Sequence, residues 1–153
     1  MTSLPSALAG RRRFAGAAAI VLPVFAIVLG ARMWEPKEIG RYDPAYWLAI
    51  PQVAKSVPLF EVCAAPRYSL VRQDGLRPQL SVVRYGATAS PDELIDRYRT
   101  AFEASKCAVA DKDGMLLAET CAPPFDHAEL SVGITRGEAG SDCAAVAISL
   151  VGG

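Results

Sequence analysis

Hydrophobic and polar positions divide this chain into three regimes. The first is an unbroken apolar run over residues 14–31, FAGAAAIVLPVFAIVLGA, with no charged or strongly polar side chain on any face. At the rise of an α-helix the run is roughly 27 Å long, close to the ~30 Å hydrocarbon thickness of a bilayer. Pro23 in its middle breaks a soluble helix but is tolerated in a membrane one. Arg32 can snorkel and Trp34 suits the headgroup layer. The pattern predicts a transmembrane helix over residues 14–34. Its length exceeds the h-region of an ordinary cleaved leader, which favours an uncleaved signal anchor.

The second regime, residues 35–58, has no sustained period. Pro36, Pro44, Pro51 and Pro58 are too closely spaced for one continuous helix, so the stretch reads as a tether with local structure. Within it lies an apolar patch containing Tyr46, Trp47, Leu48 and Ile50. Such a patch packs on the following domain, rests at the membrane surface, or docks a membrane-protein partner.

The third regime, residues 59–153, alternates between periods. Residues 68–72 and 79–85 read as strands joined through Asp74-Gly75, with Pro78 marking an edge or a late start. Ser90-Pro91-Asp92-Glu93 then combines an N-cap serine, proline at the first helical position and an acid three residues past the cap. Leu94, Ile95, Tyr98, Ala101 and Phe102 follow at helical spacing, predicting a helix over 91–105. Glu93 with Arg97 and Arg99 with Glu103 are i,i+4 pairs for its wet face. After the helix the period becomes two. Residues 107–111 and 115–121 flank Asp113-Gly114 as a hairpin, and 128–135 and 143–151 read as strands. The fold class expected is α+β: a transmembrane helix, then one helix packed on an antiparallel sheet of about five or six strands.

Charge sharpens the picture. The sixteen acidic residues all lie at or after Glu35, against twelve basic ones there, so that region carries a net −4. An acidic domain is a poor partner for nucleic acid. Arg11, Arg12 and Arg13 precede the apolar run and hold residues 1–13 in the cytoplasm by the positive-inside rule. The expected topology is therefore single-pass in a bacterial inner membrane, with residues 59–153 in the periplasm.

Four cysteines, Cys63, Cys107, Cys121 and Cys143, all follow the apolar run. An even number in a small extracytoplasmic domain predicts disulfides. Three connectivities are possible, but the hairpin places Cys107 opposite Cys121 if its loop has three residues, or opposite Thr120 if it has two. Either register brings Cys107 and Cys121 within reach and leaves Cys63 for Cys143 by elimination.

Candidate chemistry is sparse. His127 is the single histidine and adjoins Asp126, but chain neighbours do not generally face one another as a catalytic pair requires. One histidine and four scattered cysteines do not make a zinc pattern, and no C-x-x-C occurs. Asp111-Lys112-Asp113-Gly114 lacks the remaining ligands of a calcium loop and reads as a turn. No phosphate loop or nucleophile elbow is present. No cofactor is expected. The sequence points to a membrane-anchored interaction domain, with a small-ligand-binding module as the alternative.

Overall fold

Strand alternation sorts the side chains of this domain onto two faces of one sheet. The computed structural model describes residues 34–126, 128–135 and 143–152, together with residues 23, 26–28 and 30–31. Among the described residues there are six strands: β1 (Val62–Val71), β2 (Leu80–Ala87), β3 (Ala108–Lys112), β4 (Met115–Glu119), β5 (Glu129–Thr135) and β6 (Ala144–Val151). They form a single antiparallel sheet in the order β1-β2-β6-β5-β4-β3. The last strand therefore enters the middle of the sheet, between β2 and β5, and joins the two halves.

Register keeps like residues on one face. Tyr68 lies opposite Val83, Val83 opposite Ile148, Ile148 opposite Val132, and Val132 opposite Leu116. All five are buried, as are Leu70, Leu130, Val146 and Leu150 on the same side. Alternation predicts Val146, Ile148 and Leu150 for the core face and groups Ala128, Leu130, Val132 and Ile134 on one side; all are buried but Ile134, which is half-buried. The opposite face carries the small residues Gly86, Ser131, Gly133, Ala145, Ala147 and Ser149 near its centre.

The predicted helix is α3 (Pro91–Ala104). Ser90 caps it by accepting from the Glu93 N–H, and Pro91 occupies the first turn, where no intrahelical donor is needed. Leu94, Tyr98 and Phe102 are fully buried on its inner face, against β3, β4 and β5. Glu93 pairs with Arg97 at 2.7 Å, as its spacing predicts. Arg99 instead turns to Asp111 of β3, meeting both carboxylate oxygens at 2.9 Å. One guanidinium nitrogen, Nη2, reaches both oxygens of a carboxylate that the neighbouring strand supplies.

Residues 35–58 belong to the same compact unit, Glu35–Gly153. Ile39 exchanges two backbone hydrogen bonds with Tyr68, each 2.9 Å, and Leu70 N–H donates to the Pro36 carbonyl at 2.8 Å. This segment covers the outer edge of β1, which would otherwise present unpaired backbone groups. Two short helices follow, α1 (Pro44–Ala49) and α2 (Gln52–Lys55), separated by Pro51. They bury Ala45, Tyr46, Ile50 and Ala54.

Both disulfides form, Cys107 with Cys121 and Cys63 with Cys143. The β3–β4 loop has two residues, since Lys112 pairs with Met115 and Ala108 with Glu119. Asp113 and Gly114 take positive φ of 53° and 76°, the conformation a tight primed turn requires. The expected transmembrane helix over 14–34 falls largely outside the described residues. Among the described residues no helix is long and apolar enough to cross a membrane.

Candidate functional site

Among the described residues no group of three or more His, Cys, Asp or Glu side chains is placed to hold a metal. The four cysteines are consumed in disulfides. Asp111 is held by Arg99, and Asp113 sits in the hairpin turn. Glu93 and Asp92 form the first turn of α3, where acidic side chains complement the helix dipole. His127 lies outside the described residues, and Asp126 beside it is exposed.

The most perturbed titratable group is structural. Tyr98 is fully buried, and its hydroxyl donates to the Pro58 carbonyl at 2.9 Å. Its oxygen also lies 2.7 Å from the Tyr85 hydroxyl, which in turn accepts from the Phe60 N–H at 3.2 Å. Burial, reinforced by the contact with Tyr85, raises the Tyr98 pKa far above the ordinary phenol range. Every polar member of this chain has a partner. It fastens residues 58–60 to both the sheet and the helix.

The surface feature that does stand out is built by α1. Asp43 accepts from the Ala45 N–H at 2.9 Å and Pro44 starts the helix, so its first turn is fixed from within. The helix stops at Ala49 because Ile50 precedes Pro51 and is driven to extended backbone, φ −72° and ψ 127°. Tyr46 faces inward and packs edge-on against the Tyr68 ring, with centroids 4.8 Å apart. Ile50, four residues on, is buried on the same side. Trp47 and Leu48 point the other way and are 68% and 69% exposed. Tyr42, in the turn before the helix, is fully exposed.

Cations surround this aromatic ledge. Lys55 places its Nζ 5.1 Å from the Tyr46 ring centre and 5.9 Å from that of Trp47, and donates to the Trp47 carbonyl at 3.2 Å. Arg41 Nε reaches the Tyr68 hydroxyl at 3.4 Å, a contact that raises the Arg41 pKa further above its already high value. Tyr42, Trp47, Arg41 and Arg67 line an open cleft floored by Ala65 and Pro66. The ledge is thus an apolar and aromatic surface edged by fixed positive charge.

The structure divides the four residues that sequence reasoning grouped. Tyr46 and Ile50 are part of the domain's own interior, while Trp47 and Leu48 remain on the surface. Sequence reasoning missed Tyr42, Arg41, Lys55 and Arg67. The first three lie within thirteen residues of Trp47 and were open to a search for basic–aromatic interleaving. Arg67 is brought in only by the pairing of β1 with residues 36–39. No protein-family model, curated protein or solved structure matches this chain.

Proposed function

We propose that this chain is a single-pass protein of a bacterial inner membrane. Residues 14–34 anchor it, and its disulfide-bonded α+β domain works in the periplasm through contacts rather than catalysis. The observation that carries this reading is the ledge: Trp47 and Leu48 are held out on a capped helix that begins thirteen residues after an apolar stretch of bilayer length. A helix fixed by Asp43, Pro44 and the buried Tyr46 presents those side chains at little entropic cost, as a contact surface requires. Two disulfides favour an oxidising compartment. Such a domain suits an accessory subunit of a membrane complex or a factor in envelope assembly. The alternative of a ligand enclosed between helix and sheet is less well supported, because Leu94, Tyr98, Phe102, Leu116, Val132 and Ile148 fill that interface and are fully buried.

Alkylation of intact cells with a membrane-impermeant thiol reagent, with and without prior reduction, tests topology. Labelling only after reduction, on a chain whose mass shows residues 14–34 retained, is expected. Thiols that react only after lysis and without reductant would place the domain in the cytoplasm and end the proposal. Purification in mild detergent tests the contact role, which loses its support if the chain always runs alone.

A further inference from the structure

We infer that the ledge seats in the lipid headgroup layer of the membrane that holds the anchor, with a preference for anionic phospholipid. The inference rests on the anchored reading above and names the surface that Trp47 meets. Its first ground is reach. Pro36 is hydrogen-bonded to β1 through its carbonyl, only five residues after Ala31, where the apolar run ends. Five residues span at most about 18 Å, so the Pro36 edge of the domain cannot travel far from the point where an anchor leaves the bilayer. Tyr68 is the shared landmark. Ile39 pairs with its backbone and Tyr46 packs on its ring, so α1 lies at this same edge.

The second ground is composition. Trp and Tyr partition to the headgroup layer, with an apolar body toward the acyl chains and a polar rim toward water. Trp47, Leu48 and Tyr42 offer that mixture on adjoining positions. The third is charge. Arg41 and Arg67 are exposed beside the aromatic side chains, and half-buried Lys55 lies over the Trp47 ring. Of the acids in residues 35–58, Glu38 is paired with Arg84, while Glu35 and Asp43, which caps α1, are outnumbered by Lys37, Arg41, Lys55 and Arg67. The local surface is therefore basic although residues from Glu35 onward are acidic as a whole. A domain seated this way is held in one orientation on the bilayer, and not merely near it.

The test uses the full chain reconstituted in phosphatidylcholine vesicles, with and without phosphatidylglycerol. Trp34→Phe leaves Trp47 as the single tryptophan. Its emission is read against aqueous iodide and against lipids brominated near the top of the acyl chain. Docking predicts blue-shifted emission, quenching by the brominated lipid and protection from iodide, all stronger with phosphatidylglycerol. Arg41→Gln and Arg67→Gln are each expected to lower the docked-to-undocked ratio by up to roughly fivefold on the anionic vesicles. High salt lowers it too.

The failures are distinguishable. A chain that does not float with vesicles overturns the anchor, and the docking with it. A chain that floats while Trp47 stays open to iodide overturns the docking alone. Protection from iodide without quenching by brominated lipid means contact with a second copy of the chain, and overturns the lipid assignment.

Discussion

Removing the Tyr98 hydroxyl tests how the domain is closed around its helix. A phenol has one proton, and Tyr98 directs its own to the Pro58 carbonyl at 2.9 Å. The proton in the 2.7 Å contact with Tyr85 therefore comes from Tyr85, whose oxygen accepts from the Phe60 N–H. Tyr98→Phe leaves two groups unmet, the buried Tyr85 donor and the half-buried Pro58 acceptor. At ~1–3 kcal/mol for an orphaned buried group, and ~1 kcal/mol for the Pro58 carbonyl where water can reach it, the loss is roughly 2–4 kcal/mol. Tyr85→Phe keeps the Tyr98–Pro58 bond and orphans the Phe60 N–H, for a loss of roughly 1–2 kcal/mol. In the double variant the Tyr85 donor no longer exists, so the combined loss falls short of the sum by about 1 kcal/mol.

Urea unfolding of the full chain in mild detergent, followed by near-ultraviolet circular dichroism, measures all three. Midpoints should shift at constant m. The same variants carry a signature in alkali. Because the Tyr98 pKa is raised in the folded state, the native domain holds that proton more tightly than the unfolded chain. Its contribution is whole below the unfolded value of about 10 and declines above it by about 1.4 kcal/mol per pH unit. Tyr98→Phe should remove that share of the alkaline slope. An additive cycle, or a variant as alkali-sensitive as the parent, would refute the proton assignment and the buried network with it.

Replacing Cys63 and Cys143 together by Ser should cost more stability than replacing Cys107 and Cys121. The residue separations are 80 and 14, and chain entropy assigns about 4.5 and about 3 kcal/mol to loops of those sizes. Thermal unfolding of the two double variants decides the order, and equal losses count against the entropic account. Gly86→Ala should destabilise by roughly 1–3 kcal/mol, because a Cβ there would lie 2.9 Å from Ala64 Cβ and 3.0 Å from Cys63 Sγ. A melting temperature unchanged from the parent would mean that β1 gives way freely at this point. Ser90→Ala should cost about 1 kcal/mol through loss of the cap on α3, and Ser90→Asp should recover it.

Local patterns in the sequence carried most of the fold, and they did so where one residue type has one physical use. Ser90-Pro91 begins α3 as read, since a cap and a donor-free proline fit the start of a helix and little else. Asp113-Gly114 turns the hairpin because few dipeptides accept positive φ twice in succession. Once that hairpin is fixed, Cys107 and Cys121 are neighbours and the other pair follows. Strand order was not legible. The insertion of β6 between β2 and β5 is a contact between distant parts of the chain, and alternation alone cannot say which strand lies beside which. Arg99 shows the same limit at one residue, because its partner Asp111 is supplied by the sheet and not by the helix.

The ledge marks where that limit reaches function. In sequence, Tyr46, Trp47, Leu48 and Ile50 are four apolar neighbours with equal claim to be core or surface. A helix of six residues has too few turns for periodicity to separate its faces. The separation comes from outside the helix. Residues 36–39 pair with β1, this brings the Tyr68 ring under α1, and Tyr46 packs on it, which fixes the rotation of every other side chain. Ile50 then falls inward, and Trp47 and Leu48 fall outward. The orientation of the surface assigned here to contact is thus set by one edge-on ring contact and two 2.9 Å backbone hydrogen bonds. Arg41 and Arg67 arrive beside Trp47 through the same pairing, from positions twenty-six residues apart, so the basic and aromatic halves of the surface exist together only in the folded domain.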